Sequence, residues 1–433
     1  MRSATQTYLR LSFMLASALA LKYLLSPLLA KSSPVWLQYL SGLVILLFGA
    51  RYPLAQAAEI IEASTDVLSK KTHLAAGLLQ SLGTAFPDMI LGVTAAVISL
   101  QLAATDPTRA ISYAMIAAAT TFGSNIYNIG HAAWCIYRQN RADKIHKKVL
   151  MFPYIKHLGT LTPLIHHRRR PSLQEIDTAV RLLTTLSILT AVIALLMVGF
   201  GQISPSLYQL IRPAGIGLFV VTSLVLYAFR RAETQNLPEV EAAKAQLEPA
   251  SQSNLSLWLS LLMAGIAIAA TAESMVHALE SLSVLTHIPY VVSGTLAGVI
   301  GCLGEMLVIH NYSIHASGRL GDAIVGVAMD NIVTIMGASI VAIMGGIFLG
   351  GTSLIVLFVV ILGLNTILIE QINTLKSTLI KPPDLRLFMT MQRERLQISC
   401  DIRYHHAQSY LASESSARDA RQKDLSISMP QKI

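Results

Sequence analysis

Residues 82–92 read LGTAFPDMILG, in which a proline and the acidic residue Asp88 interrupt a long apolar run. The flanking residues, HLAAGLLQS before and VTAAVISL after, are almost entirely apolar or small. In a soluble core helix an unpaired Asp88 would carry a large desolvation cost. In a transmembrane helix an ionisable side chain usually marks an ion or substrate site. This stretch therefore predicts an all-α membrane protein with an acidic site inside the bilayer.

The composition of the whole chain agrees with this interpretation. Of its 433 residues, 53% are hydrophobic and only 13% are charged, whereas soluble domains carry roughly 25% charged residues. The three cysteines lie far apart and form no CxxC pair, so their spacing indicates neither a disulfide framework nor a zinc site. The sequence has no nucleophile–base pair and no HExxH cluster. We therefore expect a transporter rather than an enzyme.

Ten stretches are long and apolar enough to cross a bilayer as a helix of about 20 residues. They are residues 8–30, 35–51, 74–100, 109–137, 182–201, 207–229, 255–281, 289–312, 322–346 and 351–373. The second continues, with more polar residues, to residue 68. The first could instead be a cleaved signal peptide, although its apolar length favours a retained helix.

The distribution of Lys and Arg predicts the orientation of these spans, because basic loops stay in the cytoplasm. Residues 138–181 hold ten basic residues against three acids, and the turn 69–73 and the tail after residue 374 are also basic. The opposite connections contain one basic residue, Lys31. We therefore expect both termini in the cytoplasm. The net charge of +9 then reflects membrane topology rather than a nucleic-acid partner.

The spans and the polar segments divide the chain into five regions. These are an extra N-terminal transmembrane helix (1–34), a first half (35–230) with the basic loop 138–181, a linker (231–254), a second half (255–374) and a tail (375–433). The linker and the tail are polar, and both are expected in the cytoplasm.

The two halves contain related segments. Residues 72–88 read THLAAGLLQSLGTAFPD and residues 286–305 read THIPYVVSGTLAGVIGCLGE. Aligning Asp88 with Glu305 also aligns Gly77 with Gly294 without a gap. Each acid is followed by another apolar helix with a polar interruption, TTFGSNIYNIG (120–130) in the first half and GVAMDNIVTIMG (326–337) in the second.

The position of these segments in the chain predicts an inverted repeat. The acid-bearing helices are the third and the eighth of the ten predicted spans, so they cross the membrane in opposite senses. Paired, opposed helices interrupted by glycine or proline are typical of transporters whose site lies near the bilayer midplane.

The motifs resemble those of the calcium/cation antiporter superfamily. GTAFPD resembles the GTS-x-PE and GTS-x-PD motifs, and GSNIYN (Gly123 to Asn128) matches the GSN-x-x-N motif. In the second repeat, which is more divergent, GCLGE (Gly301 to Glu305) has the spacing of the G-N-x-x-E motif of proton/calcium exchangers. GVAMDN stands where relatives carry variants of G-x-x-x-GSN. The resemblance covers residues 35–135 and 260–345.

The resemblance implies about ten transmembrane helices in two inverted repeats of the sodium/calcium exchanger type. It also implies a secondary active antiporter that moves Ca²⁺ in exchange for Na⁺ or H⁺. In such proteins the paired acids hold the ion, and here these acids are Asp88 and Glu305.

Calcium takes about six to eight oxygen ligands, and inside a membrane these come from side chains and from carbonyls freed at helix breaks. Gly83 and Pro87 are expected to disturb the helix before Asp88, and Gly301 and Gly304 the helix before Glu305. For Asn128 and Thr334, packing between helices explains a small polar residue nearly as well as ligation. The predicted cation-binding residues are Thr84, Asp88, Ser124, Asn125, Asn128, Glu305, Asp330, Asn331 and Thr334.

Three residues bear on the counter-ion. Ala85 and Cys302 stand where the sodium-using relatives place a serine, which disfavours Na⁺. Asp330 adds a third acid where the family motif usually has a serine, and crowded carboxylates favour protonation of one of them. These differences favour H⁺ over Na⁺. His310, five residues beyond Glu305, either assists proton access or simply sits near a helix end.

Two alternatives remain at the level of the sequence. The first is an antiporter for Mg²⁺, Mn²⁺ or K⁺, and the second is a membrane scaffold of the same fold without transport. In each case we expect a multi-pass protein of the plasma (inner) membrane or of an organelle membrane. Its expected partners are inorganic cations and the lipid bilayer, with no cofactor beyond the transported cation, and the sequence does not identify a protein partner.

Overall fold

The computed structural model describes residues 4–30, 32–57, 60, 76–167, 170–234, 254–315, 320–345 and 347–380. Side chains are described for the same residues except 4–8, 76–88, 230–234, 254–257 and 304. Most of the predicted linker (235–253) and nearly all of the predicted tail (381–433) lie outside the described residues. Contacts group Met1–Lys376 into one compact unit and Ser377–Ile433 into another, and the description below concerns the first. The five predicted regions remain a prediction.

The described residues are mainly α-helical. The α-helices are α1 (Ala4–Ala20), α2 (Val35–Gly49), α3 (Ala76–Leu102), α4 (Pro107–Ile145), α5 (Leu173–Phe200), α6 (Arg212–Thr234), α7 (Asn254–Thr286), α8 (Tyr290–Gly301), α9 (Leu303–Ile314), α10 (Leu320–Met344) and α11 (Gly351–Ile380). Helices α1 and α2 continue as π-helical turns, Leu21–Leu25 and Ala50–Leu54. The second turn contains Pro53, whose missing N–H disturbs regular α-helical hydrogen bonding.

Local sequence signals explain where two of the long helices begin. Asp106 precedes α4, and its side chain accepts a hydrogen bond of 3.1 Å from the Arg109 backbone N–H. Ser172 and Glu175 form a capping box at the start of α5, in which each side chain bonds to the backbone of the other residue. Such caps satisfy N–H groups that the first helical turn leaves unpaired.

Seven helices of the described region are long and apolar enough to cross a membrane. They are Leu9–Leu29, Val35–Ala57, Leu173–Phe200, Arg212–Phe229, Trp258–Thr286, Leu320–Met344 and Gly351–Ile380. The pair α8–α9, bent by 51° at a short break, forms an eighth span if it is counted as one. The described side chains of α3 add a shorter apolar helix, Met89–Leu102. The chain is thus an all-α membrane protein, and the count of ten spans remains a prediction.

Short strands occur only between helices in the described part of the chain. Strands β1 (Val149–Phe152) and β2 (Ile155–Leu161) form an antiparallel hairpin within the basic loop after α4. This hairpin lies against α4, because Trp134 Nε1 donates to the Met151 carbonyl at 3.1 Å and Arg138 Nε to the Leu150 carbonyl at 3.0 Å. Strands β3 (Gln202–Ser204), β4 (Leu207–Gln209) and β5 (Phe348–Gly350) form a small antiparallel sheet.

Four helices form the centre of the unit. Helix α4 packs against α3 and α8, and α10 packs against α3 and α4. Helix α10 is the most buried of the seven spans, since 78% of its most apolar 18-residue stretch lies inside the protein. Helices α4 and α8 are in unusually close contact, because a Cβ added at Gly298 would lie 2.5 Å from the Ser124 backbone nitrogen. Three of these helices (α3, α4 and α10) carry the predicted cation-binding residues other than Glu305, which lies at the start of α9.

Candidate cation-binding site

Helix α4 contributes the polar residues of the GSNIYN segment. Ser124, Asn125 and Asn128 are each at most 2% exposed, and their spacing places Ser124 and Asn128 on one face of the helix, one turn apart. The glycine of the segment has a packing role, because a Cβ at Gly123 would lie 2.7 Å from Thr295 Cα of α8. The Ser124 hydroxyl donates to the Thr121 carbonyl at 3.1 Å, which leaves its lone pairs available to a cation.

Glu305 lies in the first turn of α9, directly after a helix break. Helix α8 ends at Gly301, and Cys302, with φ −89° and ψ 5°, connects it to α9. The predicted break near Gly301 is therefore observed. Glu305 is only 4% exposed. A carboxylate in the first turn of a helix interacts favourably with the positive end of the helix dipole, which offsets part of the cost of burying its charge.

The predicted residues of the two halves meet at Asn128 and Glu305. The Asn128 side-chain amide donates a hydrogen bond of 2.5 Å to Glu305 Oε2. The two residues are 177 positions apart in the sequence. The contact joins the GSNIYN segment of α4 to the GCLGE segment at the start of α9.

Three amide oxygens on the central helices accept no hydrogen bond from the described residues. They are Asn125 Oδ1, Asn128 Oδ1 and Asn331 Oδ1, all buried. For two of them the amide orientation follows from the partners, since Asn128 Nδ2 faces a carboxylate oxygen and Asn331 Nδ2 faces the Val327 carbonyl at 2.6 Å. A backbone carbonyl and an ionised carboxylate only accept, so the NH₂ group faces each partner and Oδ1 points elsewhere.

Buried polar atoms without a partner are rare and costly. An amide oxygen held in this way is a neutral hard ligand of the kind that calcium and related cations bind. The three oxygens are therefore chemically suited to the predicted role of cation ligands, and ligation by Asn128 remains a prediction.

Helix α10 supplies the remaining predicted residues of the second half. Asp330, Asn331 and Thr334 are all buried, on a helix that contacts α3, α4 and α9. The Thr334 hydroxyl donates to the Asp330 backbone carbonyl at 2.9 Å. Asp330 is 6% exposed, so this third predicted acid is also inside the protein.

The side chains of Thr84 and Asp88 lie outside the described residues, although their backbone belongs to α3. Helix α3 is continuous from Ala76 to Leu102, so the predicted helix disturbance at Gly83 and Pro87 does not break it. Pro87 has no N–H, and the Gly83 carbonyl four residues earlier therefore lacks its usual helical partner. The segment after Asp88 packs on α10, since a Cβ at Gly337 would lie 2.7 Å from Met89 Cγ.

Two other acids of the predicted spans have basic partners. Glu273 of α7 accepts from Lys22 at 2.8 Å, and Glu280 of α7 accepts from Arg109 Nε at 2.9 Å. These pairs join α7 to the N-terminal helix and to α4. Sequence patterns did not indicate them, because the partners lie 251 and 171 positions apart.

Sequence reasoning also missed a group of possible metal ligands beside the site. His131 and Cys135 of α4 lie close to His310 of α9. The spacing of four residues between His131 and Cys135 puts them on one helix face, and this was the one available signal. The overall spacing of the cysteines did not reveal it.

A scan against models of protein families finds no match, and a search of curated proteins finds none either. Among solved structures the chain is similar to the H⁺/Ca²⁺ exchanger CAX, with 14% identity and a TM-score of 0.47, over 85% of this chain and 94% of that one. It is also similar to the sodium-calcium exchanger NCX_Mj, with 16% identity and a TM-score of 0.39, over 76% of this chain and 88% of that one. Both of these proteins are calcium exchangers.

Proposed function

We propose that this protein is a secondary active antiporter that exchanges Ca²⁺ for H⁺ or Na⁺ across a membrane. The observation that carries the proposal is the buried contact between Asn128 and Glu305. It joins the two polar segments that the sequence singled out in separate halves of the chain. We interpret the buried Glu305 carboxylate and the unpartnered amide oxygens of the central helices as cation ligands rather than as catalytic groups.

The buried residues supply the ligand number that calcium needs. Besides Glu305, the buried polar side chains of α4 and α10 comprise a second carboxylate, three amide oxygens and two hydroxyls, from Asp330, Asn125, Asn128, Asn331, Ser124 and Thr334. We add Thr84 and Asp88 of α3 to this set. Ca²⁺ takes about six to eight oxygens in a flexible geometry, and a subset of these groups can provide them.

We further propose that the fold consists of ten spans with two inverted repeats. Helices α3 and α4 form the core of the first repeat, and α8–α9 and α10 the core of the second. The packing supports this pairing, because α4 packs on α8 while α3 packs on α10. Each acid-bearing helix thus contacts the second helix of the other repeat, a reciprocity expected for elements related by a two-fold axis.

Protonation of a site carboxylate provides the coupling. A protonated Glu305 loses its charge and one of its acceptor oxygens, so its affinity for Ca²⁺ falls. The same carboxylate can then carry either the cation or a proton, but not both. Antiport requires that the two ions exclude each other from the site in this way.

We also propose that the protein lies in the plasma (inner) membrane or an organelle membrane, with its termini and the loop 138–181 in the cytoplasm.

The test is ion flux into sealed proteoliposomes that contain the purified full-length protein. We expect Ca²⁺ uptake driven by an imposed H⁺ or Na⁺ gradient. Glu305→Gln and Asp88→Asn should each reduce the uptake to the level of empty liposomes. Glu370→Gln, which removes a carboxylate from an exposed position of α11, is the matched control and should transport normally.

Other outcomes would correct the proposal in defined ways. Uptake of Mg²⁺, Mn²⁺ or K⁺ in place of Ca²⁺ would reassign the cargo but keep the site. No flux of any of these ions under either gradient would overturn antiport and favour a scaffold. Normal transport by Glu305→Gln would show that the ion site lies elsewhere.

A further inference from the structure

A second group of possible metal ligands lies close to the proposed transport site. It consists of His131 and Cys135 on α4 and His310 on α9, and we call it the His–Cys–His cluster. One ligand atom from each residue lies within 4.8 Å of the other two. Cys135 and His310 are buried, and His131 is partly buried.

The two imidazole rings stack on each other and on one aromatic ring. The rings of His131 and His310 are nearly parallel, with centroids 5.6 Å apart and planes inclined by 15°. Phe152 of β1 stacks against both, at 6.2 and 6.1 Å. The His131 Nε2 atom lies 3.6 Å from Cys135 Sγ. The cluster is therefore enclosed between two helices and the β1–β2 hairpin.

Backbone groups orient the histidines as they do in metal sites. His310 Nε2 lies 2.8 Å from the Leu158 carbonyl of β2. A carbonyl only accepts, so Nε2 carries the proton and Nδ1 of the neutral ring keeps its lone pair. His131 has the backbone of Met306 on α9 as a polar neighbour. A histidine that binds a metal usually donates its other N–H to such a backbone group.

The chemistry of the cluster differs from that of the proposed transport site. Calcium prefers oxygen ligands, whereas imidazole and thiolate ligands select borderline or soft ions such as Zn²⁺. Ligand atoms around tetrahedral zinc stand roughly 3.3–3.8 Å apart. The ligand atoms of the cluster lie up to 4.8 Å apart, so the side chains would have to move by about 1 Å to reach that geometry. Three protein ligands would leave one coordination position for water.

We propose that the His–Cys–His cluster binds one Zn²⁺-class ion, through the Cys135 thiolate and the two imidazoles, and so bridges α4 and α9. The bridge lies near the Asn128–Glu305 contact. His131 follows Asn128 by three residues and His310 follows Glu305 by five, which is roughly 4.5 and 7.5 Å along the two helices. An ion at the cluster would restrain these helices relative to each other. The inference does not depend on the proposed antiport function.

Cobalt titration of the purified full-length protein in detergent, under reducing conditions and with excess Ca²⁺, tests the proposal. Co²⁺ bound by a thiolate gives a sulfur-to-cobalt charge-transfer band in the near ultraviolet, which oxygen ligands do not give. We expect this band to saturate at one Co²⁺ per chain and to disappear when Zn²⁺ is added. Absence of the band in the unmodified protein would by itself overturn the proposal, and no variant would be needed.

Matched variants identify the ligands. Cys135→Ser should abolish the band, and His131→Gln and His310→Gln should each weaken cobalt binding at least tenfold. Cys302→Ser and His277→Gln remove a buried thiol and a partly buried imidazole outside the cluster, and both should retain the band. Retention of the band by Cys135→Ser, or its loss in Cys302→Ser, would overturn the assignment. Zn²⁺ should also raise the thermal unfolding temperature of the unmodified protein but not that of Cys135→Ser.

Discussion

At the scale of single residues, the environment distinguishes asparagines that look alike in sequence. Asn128 and Asn140 both lie on α4, and each has a buried Oδ1 that accepts no hydrogen bond from the described residues. The Asn128 amide donates to the Glu305 carboxylate, whereas Asn140 Nδ2 donates to the Gln371 backbone carbonyl at 2.8 Å. The first arrangement orients the carboxylate that we propose as a cation ligand, and the second connects α4 to α11.

We expect Asn128→Ala to raise the Ca²⁺ concentration for half-maximal transport by roughly 10- to 100-fold. The reason is that a hydrogen bond to a charged group contributes about 1.5–3 kcal/mol, and each 1.4 kcal/mol corresponds to about tenfold in affinity. Asn140→Ala, on the same helix, should leave this concentration unchanged. Vesicle flux at varied Ca²⁺ measures both variants, and equal effects would contradict a ligand-positioning role for Asn128.

At the scale of elements, close contact between α4 and α8 determines where the polar segment of α4 lies. Gly123 of α4 and Gly298 of α8 face backbone atoms of the opposite helix. At Gly298 an added Cβ would meet the Ser124 nitrogen at 2.5 Å and the Gly123 carbonyl carbon at 2.9 Å. Backbone atoms cannot change rotamer, so the whole helix would have to move.

Gly298→Ala should therefore destabilise the protein by about 1–3 kcal/mol, the usual cost of overpacking a core. Gly363→Ala on α11 is the control, because nothing lies within 4 Å of its added Cβ. It should be neutral or stabilising by up to about 1 kcal/mol, since Ala favours a helix over Gly. Thermal unfolding in detergent measures both variants, and a stable Gly298→Ala protein would show that the two helices pack less closely than described.

The end of α4 contains a buried carboxyl group beyond the predicted span 109–137. Asp143 Oδ1 accepts from the Leu164 N–H at 2.5 Å, and Oδ2 accepts from Gln139 Nε2 at 3.3 Å. Burial raises the pKa of Asp143, although these hydrogen bonds lower it in part. The carboxyl group thus ties α4 to the segment after the β1–β2 hairpin.

A raised pKa has a defined effect on stability. The folded protein holds the Asp143 proton more tightly than the unfolded chain, so unfolding releases a proton and stability falls as the pH rises through the raised pKa. We expect Asp143→Asn to reduce this fall at pH values above the ordinary pKa of an aspartate, about 4. Unfolding temperatures of the two proteins should therefore differ in their pH slope. Parallel curves would mean that Asp143 does not titrate in this range.

At the scale of the whole molecule, the basic loops predict how the chain crosses the membrane. A reporter inserted after residue 160, or fused after Ile433, should be cytoplasmic, and one inserted near Thr105 should be external. The reason is the excess of ten basic residues over three acids in 138–181. Labelling of the reporters from either side of intact cells measures this. An external C-terminus would mean that the first span is cleaved or that one of the ten predicted spans is wrong.

The identity of the counter-ion is also a property of the whole transport cycle. We expect a pH gradient to drive Ca²⁺ movement better than an equal Na⁺ gradient, because the proposed site has one extra carboxylate, Asp330, and lacks the serines expected at Ala85 and Cys302. Asp330→Ser should weaken the pH dependence, and Asp330→Ser combined with Ala85→Ser should increase any response to Na⁺. If a Na⁺ gradient drives strong Ca²⁺ flux in the unmodified protein and this flux is independent of pH, the result would favour a sodium/calcium exchanger.

The sequence by itself predicted a helical membrane protein, and it also supplied the residues of the candidate site, which remain a prediction. Apolar length and helical periodicity are local properties, so a membrane protein built of helices could be predicted from the chain alone. The break after Gly301 and the residues of the GSNIYN segment also followed from local chemistry, since glycine, amides and acids are unusual inside an apolar span.

Only the tertiary structure decided which of these residues meet. The Asn128–Glu305 contact, the Lys22–Glu273 pair and the His–Cys–His cluster each join residues more than 170 positions apart. The structure also shows that α3 is continuous through Pro87, although proline disfavours a helix interior. Such contacts depend on the relative placement of packed helices, and no local pattern encodes that placement.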